Sequence, residues 1–260
     1  GHGREGKRMF EEERQIRIMN ELTEQRTMLV GDLAAILGVS PSTVRRDLTS
    51  MEKKGLVKRT HGGAMIVEET DTNLSYVVRS SHNEKLKACI ARCAAQQVKD
   101  GEVILLNSSS ITSMMPRYLT AKNITVITNS LCIAQELQGR GSCVLILLGG
   151  MYLKNAQTIE GPTTVSQLMT MKYDKVFIGA NGVDLEFGLS TASELEAATK
   201  IAAIGQAKES FCLCEHTKFE KTALYKLCPL EKIHCVITDD GLSDALRSAY
   251  AARTRLLIAR

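Results

Sequence analysis

The chain has 260 residues, 44% hydrophobic and 24% charged, with no Trp and a formal net charge of +4 at pH 7. That is enough apolar material for one large domain, or for a small domain joined to a larger one. It excludes a disordered chain, a collagen-like repeat and a small disulfide scaffold. The longest apolar run, Cys143 to Leu148, falls far short of the ~20 residues of a membrane helix, and the first thirty residues hold no signal-peptide core. A cytoplasmic protein with free thiols and no membrane partner is therefore expected.

The charge is concentrated. Residues 40–63 contain Arg45, Arg46, Lys53, Lys54, Lys58 and Arg59 against Asp47 and Glu52, so this segment carries the whole net charge of +4. A neutral body with one compact basic segment fits a nucleic-acid module fused to something else. Charge alone fits a solvated helix face equally well.

Residues 11–25 read as a helix, with Ile16, Met19 (or Asn20) and Leu22 near helical spacing. Thr27 to Val30 reads as a short strand. Gly31 to Leu37 is a second helix with Leu33, Ala34 and Leu37 on one face, ended by Gly38, with Val39 plugging the turn. Ser40 is a capping residue and Pro41 suits a first helical position, so a third helix is predicted from Pro41 to about Lys54, stopping at Gly55. On a wheel of ~100° per residue, Val44, Leu48 and Met51 share one side. Ser42, Arg46, Thr49 and Lys53 lie opposite, with Arg45 at the flank.

This is a helix-turn-helix pattern, whose second helix enters the major groove. Arg46 suits a guanine edge, while Ser42, Thr43 and Lys53 suit phosphates. Leu56–Arg59 and Ala64–Val67 then read as strands around the turn Thr60-His61-Gly62-Gly63, which makes a winged helix. A winged helix that binds only protein would not need Arg45, Arg46, Lys58 and Arg59 together. The expected DNA-contacting set is Ser40, Ser42, Thr43, Arg45, Arg46, Thr49, Lys53, Lys58, Arg59 and His61.

The run from Val39 to Leu48, with its Arg45-Arg46-Asp47-Leu48, and the run from Met51 to Ala64, with its His61-Gly62-Gly63-Ala64, resemble the signature of DeoR-type bacterial transcriptional regulators. The expected organisation is a winged helix-turn-helix over 9–67, a linker over 68–82 and an effector-binding and oligomerisation domain over 83–260.

From residue 83 helix and strand signals alternate. Asn83–Lys99 is an amphipathic helix with Leu86, Cys89, Ile90, Cys93, Ala94 and Val98 inward. Then come strand Val103–Leu106, helix Ser110–Leu119, strand Ile124–Thr128, helix Ser130–Gln138 and strand Cys143–Leu147. Strands Lys175–Ile178, Ser210–Cys214, Cys235–Thr238 and Leu256–Ala259 follow, with helix Ser193–Ala207 among them. The expected fold class is α/β, with a mostly parallel sheet covered on both faces. Ligands of such sheets sit beyond the carboxyl ends of the strands.

Those ends carry Asn107-Ser108-Ser109-Ser110-Ile111-Thr112, Thr128-Asn129-Ser130, Gly149-Gly150, Gly179-Ala180-Asn181-Gly182-Val183-Asp184 and Glu215-His216-Thr217-Lys218. Hydroxyls and amides at a helix start favour an anion, and Lys218 can act as counter-charge. The expected effector-contacting residues are Asn107, Ser108, Ser109, Ser110 and Thr112 with the anion, Lys218 opposite, and Asn129, Asn181 and Asp184 with hydroxyls.

Asn123–Ser130, Leu148-Gly149-Gly150, Glu160-Gly161-Pro162, Asp174–Asp184 and Thr217-Lys218-Phe219 extend the resemblance over the whole second half. The resemblance implies an effector domain similar to ribose-5-phosphate isomerase, a phosphorylated-sugar effector, and dimers or tetramers. The chain departs from the family's usual Asp-Ser-Gly first loop at Asn107 and Ser109, and from its frequent Asp at Glu215. An altered ligand or a lost response would follow from that, and Ser109 would strain the loop if a positive backbone angle is needed there.

Cys212 with Cys214 and Cys89 with Cys93 read as core pairs. No spacing supports a metal or a nucleotide, so no metal and no cofactor is expected. The competing reading is a sugar-phosphate isomerase-like enzyme with Asp184, Glu196 or Asp239 as base. The fused winged helix and the amide at 107 argue against it, and no catalytic residue is expected.

Overall fold

The apolar residues that recur along the first 66 positions close into a small core of their own. In this computed structural model residues 10–53, 56–66, 76–81 and 83–260 are described, and the chain divides into two compact units between Asn83 and Glu84. The first unit runs α1 (Glu11–Gln25), β1 (Thr27–Leu29), α2 (Val30–Leu37), α3 (Pro41–Lys53), β2 (Val57–Thr60) and β3 (Gly63–Ile66). The three strands form an antiparallel sheet in the order β1-β3-β2.

Ile18, Met19 and Leu22 of α1 meet Val30, Leu33, Ala34 and Leu37 of α2 and Val44, Leu48 and Met51 of α3, with Val39 packed at the turn. Ile16, expected inside, is exposed. The buried stripe of α1 is Gln15, Ile18, Met19 and Leu22, the i, i+3, i+4, i+7 set that excludes position 16. Val30 begins α2 rather than ending a strand. Lys54 and Gly55, expected at the end of α3, and Val67, expected in the wing, lie outside the described residues.

One buried residue of α3 is not apolar. The Asp47 carboxylate accepts from Arg14 Nε at 2.7 Å and Nη2 at 3.0 Å, which binds α3 to α1 through a two-pronged pair. This pair holds the Arg14 guanidinium above its ordinary pKa.

The segment 68–82, expected to hold no strong element, contains α4 (Tyr76–Ser81), which lies against α1. The rest of that segment lies outside the described residues. Six residues are too few to be stable without packing, so the periodicity there is faint.

The second unit runs α5 (Glu84–Ala95), β4 (Val103–Leu106), a 3-10 turn at Thr112–Arg117, β5 (Ile124–Thr128), α6 (Leu131–Leu137), β6 (Cys143–Leu147), β7 (Met151–Leu153) and β8 (Thr158–Glu160). It continues with α7 (Pro162–Met169), β9 (Tyr173–Gly179), β10 (Gly182–Asp184), β11 (Gly188–Thr191), α8 (Glu194–Gln206), β12 (Ala207–Leu213), β13 (Tyr225–Cys228), β14 (Cys235–Thr238), α9 (Asp244–Ala251) and β15 (Arg255–Ile258).

Seven strands form one sheet in the order β15-β14-β12-β9-β4-β5-β6, every neighbouring pair parallel. The strands alternate between two cores. Ile104, Leu106, Phe177, Phe211, Leu213 and Ile237 face one. Leu105, Val176, Ile178, Cys212, Cys214 and Val236 face the other. This is the continuous apolar run of a sheet buried on both sides.

Helix α5 is shorter than expected, and its buried face holds Lys87 and Ala91, while Leu86, Cys89 and Cys93 are half-buried. The α-helix expected over Ser110–Leu119 is a 3-10 turn, because Pro116 inside it brings no N–H to an i→i−4 ladder. The β7–β8 hairpin and the antiparallel β10-β11-β13 sheet are additions that the apolar pattern does not announce. Among the described residues no helix is long and apolar enough to cross a membrane.

Asp47→Ala leaves the Arg14 guanidinium without its carboxylate and should cost the first unit about 2–4 kcal/mol. Replacing both residues by Leu should recover most of that. Hydrogen exchange at the amides of α1 and α3 reads the effect. Unchanged protection in the single variant would mean that the pair contributes nothing to the fold.

Candidate nucleic-acid interface and effector site

The first site is built on α3 and the hairpin after it. With Val44, Leu48 and Met51 in the core, the opposite side exposes Ser42, Arg45, Arg46 and Lys53, while Thr43 and Thr49 are half-buried. Ser40 Oγ accepts from the Thr43 backbone N–H at 3.3 Å, so Ser40 caps α3. The same oxygen lies 2.8 Å from Ser42 Oγ and 2.9 Å from Thr43 Oγ1, which gathers three hydroxyls at the helix start.

The wing is fixed against α3. The Arg59 backbone N–H donates to Glu52 Oε1 at 3.0 Å, and its guanidinium donates to Thr49 Oγ1 at 3.1 Å. Thr49 in turn donates to the Arg45 carbonyl at 2.8 Å. Lys58, Arg59 and His61 are exposed along this wing. The tip is held by the Val30 N–H on the Gly62 carbonyl at 2.8 Å. A Cβ on Gly63 would stand 2.0 Å from the Met28 carbonyl oxygen, so the β1–β3 crossing admits only glycine there. All ten residues expected to touch DNA therefore lie on α3, its cap or the wing.

The second site is the carboxyl edge of the parallel sheet. Asn129, after β5, is buried and fully engaged. Its Oδ1 accepts from Ser108 N–H at 2.9 Å and Asn107 Nδ2 at 3.2 Å. Its Nδ2 donates to Thr158 Oγ1 at 2.9 Å, the Ile159 carbonyl at 3.1 Å and Glu160 Oε1 at 3.1 Å. Glu160 also accepts from Thr158 at 2.9 Å and from Thr199 of α8. One relay thus joins the ends of β4, β5 and β8 to α8.

A second network meets it on α8. Asn181 Oδ1 accepts from Thr191 Oγ1 at 2.8 Å and the Ala192 N–H at 3.3 Å. Thr191 Oγ1 lies 3.0 Å from Glu196 Oε2, which also takes Lys200 Nζ at 3.1 Å.

Asn107, Ser108, Ser109, Thr112 and Asn129 are brought together; Ser110 follows them in the same loop, half-buried. Asn107 is buried, and its Oδ1 has no hydrogen-bond partner among the described residues. Ser109 is not among the non-glycine residues with positive φ, so the strain expected there is absent. Its hydroxyl instead accepts from the Thr112 N–H at 3.0 Å and pairs with Thr112 Oγ1 at 2.8 Å, closing the loop as glycine could not. The 3-10 turn that follows also removes the α-helical N-terminus that the anion argument used.

Asp184 Oδ1 accepts from the Glu186 and Phe187 N–H groups at 2.9 and 2.7 Å, so one oxygen is committed to its own hairpin. Lys218 ends the 3-10 turn His216–Lys218 after β12, half-buried. The carboxylates weighed as bases are all engaged: Asp184 in its turn, Glu196 with Lys200, and Asp239 with His216 Nδ1 and the Gly241 N–H. Among the described residues no group of three His, Cys, Asp or Glu side chains is placed for a metal.

Sequence reasoning missed Glu160, Thr158, Thr199 and the buried Lys87–Glu215 pair at 3.6 Å. Glu160 stood in a quoted motif, but nothing local marks it as buried. Burial raises its carboxyl to about 7, against hydrogen bonds from Thr199 and Thr158 that lower it.

A carboxyl whose pKa rises on folding makes the folded state bind more protons, so stability falls as pH climbs from 4.5 to about 7. Glu160→Gln should remove about 3 kcal/mol of that decline. Urea midpoints of the α/β unit at about pH 5 and about pH 7.5 measure it. Equal pH dependence in both proteins would mean that Glu160 titrates as a solvated carboxyl.

Comparison with known proteins follows the same division. The family model of the DeoR-like helix-turn-helix domain matches residues 14–70, and that of the DeoR C terminal sensor domain matches residues 82–240. The HTH-type transcriptional repressor GlcR of Bacillus subtilis is 32% identical, over 89% of this chain and 89% of its own. The HTH-type transcriptional regulator GolR of Listeria innocua is 31% identical, over 93% of this chain and 96% of its own. Among solved structures, ribose 5 phosphate isomerase A from Neisseria gonorrhoeae is 16% identical, over 52% of this chain and 53% of that one, with a TM-score of 0.38.

Proposed function

The chain belongs to the DeoR family of helix-turn-helix transcriptional regulators, and we propose that it represses a carbohydrate-metabolism operon, binding double-stranded operator DNA as a homo-oligomer and letting go when a small phosphorylated sugar binds. In this reading residues 9–67 hold DNA and residues 83–260 hold the effector and the partner subunits. It is a regulator and not an enzyme.

The single observation that carries the DNA half is the outward side of α3, which exposes Arg45, Arg46 and Lys53, with the hydroxyls of Ser40, Ser42 and Thr43 gathered at its start and the wing clamped alongside through Thr49 and Arg59. Arg46 carries a planar fork suited to a guanine edge. Lys53, Lys58, Arg59 and His61 suit phosphates.

The effector half rests on the loop after β4. The N–H groups of Ser108 and Thr112 are taken by Asn129 and Ser109, which leaves those of Ser109, Ser110 and Ile111 as the loop's donors toward an anion. Asn107 Oδ1 is a buried acceptor without a hydrogen-bond partner among the described residues, held in place by its own Nδ2. Lys218 supplies the counter-charge, with Asn181 and the remaining oxygen of Asp184 toward hydroxyls. The unstrained Ser109 favours a working loop over a lost response.

Arg46→Ala should weaken specific DNA binding by about 1–3 kcal/mol and relax the preference at one operator position. Lys58→Ala should weaken all sequences alike and reduce the salt slope by about one unit. Gel shifts on selected DNA at several salt concentrations read both. Wild-type behaviour in both variants would remove α3 from the groove.

Lys218→Ala should cost effector affinity about 1.5–3 kcal/mol in titration calorimetry while leaving effector-free DNA binding as it was. A cognate sugar phosphate indifferent to Lys218 and to Ser110 would move the pocket elsewhere.

A further inference from the structure

The apolar run from Cys143 to Leu148, the longest in the chain, folds as the edge strand β6 and the residue after it. The interior strands of this sheet bury both faces, but β6 does not. Val144 is 62% exposed, Leu145 36%, Ile146 37% and Leu147 43%. Val144 and Ile146 point to one face and Leu145 and Leu147 to the other, so neither face is fully covered. The free edge lies between them. Leu148 N–H donates to Thr128 of β5 at 2.9 Å, and by alternation the N–H and C=O groups of Val144 and Ile146 also turn to β5. Those of Leu145 and Leu147 point outward.

Edge strands in lone proteins carry a lysine, a proline or a bulge that stops another strand from adding. Cys143-Val144-Leu145-Ile146-Leu147 has no charge and no proline, and its register on β5 is unbroken. The preceding cation, Arg140, is turned inward onto the Pro116 and Leu119 carbonyls. We propose that β6 pairs antiparallel with β6 of a second copy across a two-fold axis at Leu145, making one continuous sheet of the two effector units.

The occupant is a second copy because the strand is complementary to itself. In this register Leu145 faces Leu145 and Cys143 faces Leu147, so outward-facing backbone groups meet their own kind in reverse, apolar side chains meet apolar side chains, and no like charges oppose. Five uncharged residues offer no handle for a charged peptide. A two-fold pair is also what a helix-turn-helix needs to read two half-sites. The inference rests on the homo-oligomer of the proposed function and adds where its two halves join.

Light scattering of the full chain without DNA at about 10 µM tests it through paired charges at the axis. Wild type should give a dimer or a multiple of one. Leu145→Lys and Leu145→Glu should each halve the mass, with dissociation constants raised about a hundredfold or more. An equimolar mixture of the two should return to the wild-type mass, since Lys then faces Glu. Recovery in the mixture shows that both variants are folded.

If wild type is a monomer, the homo-oligomer and the edge pairing both fail and β6 is left to another partner. If wild type is a dimer and both charged variants keep its mass, the edge pairing alone fails. If each variant halves the mass and the mixture does not recover, the antiparallel register at Leu145 fails. Gel shifts on wild type read DNA binding separately, so a failure of the DNA half is told apart from a failure of the pairing.

Discussion

A parallel sheet has to be buried on both faces, and most of the second unit follows from that constraint. Crossovers run from the end of each strand back to the start of the next, so helices are laid down on both sides and two cores form. The same geometry brings the carboxyl ends of β4, β5, β9 and β12 to one edge. At that edge the apolar run of each strand stops and a polar residue follows: Asn107, Asn129, Asn181 and, just beyond Cys214, Glu215. The polar cluster and the cores have one cause. The constraint is met least at β6, where apolar side chains stand open on both sides.

Polar residues driven to a buried edge need partners, because an unpaired buried group costs about 1–3 kcal/mol. Asn129 meets this by using both ends of its amide, accepting from the β4 loop and donating to the β8 segment. Lys87 and Glu215 meet it as an ion pair beneath the end of β12. Such a network is stiff, since moving one member exposes the next. It is a suitable frame for a ligand site, whose contacts must be held still before the ligand arrives. Among the described residues, Asn107 Oδ1 is one of the buried atoms which that frame leaves without a partner, as are Thr217 Oγ1 and Thr238 Oγ1.

The parts of this architecture legible in the sequence are those with local causes. Ser40 and Pro41 announce α3, and Val44, Leu48 and Met51 fix which side of it turns outward. The interior strands announce themselves as short apolar runs. Asp47 stood in a recognisable motif, yet its partner Arg14 lies 33 residues back on another helix, and no spacing within α3 points to it. Thr49 was read as a groove residue from the wheel alone; its bond to Arg59 exists only because the wing folds back. β7, β8 and β10 are three residues each, too short for a period, and Pro116 turned an expected helix into a 3-10 turn. Glu160 was invisible as a buried acid because three of its donors, Asn129, Thr158 and Thr199, come together only through the topology.

The amide at Asn107 and the acid at Glu160 are linked by what Asn129 can do. An amide has one accepting end and one donating end. Here the donating end is turned to Glu160 and the accepting end to Asn107 Nδ2 and the Ser108 N–H. An ionised aspartate at 107, the residue usual in the DeoR-type loop, would set a carboxylate oxygen against Asn129 Oδ1, two acceptors with no proton between them. Turning Asn129 over would serve that aspartate but would set its oxygen against Glu160 and leave the Ser108 N–H without an acceptor. With Asn129 in its observed orientation, an amide or a protonated carboxyl at 107 supplies the proton that Asn129 Oδ1 accepts. In this chain Asn107 Nδ2 supplies that proton, so the loop carries a neutral amide at this position. The amide at 107 thus fits an Asn129 whose donating end is already turned to Glu160, an acid that belongs to the pattern this chain shares with the family.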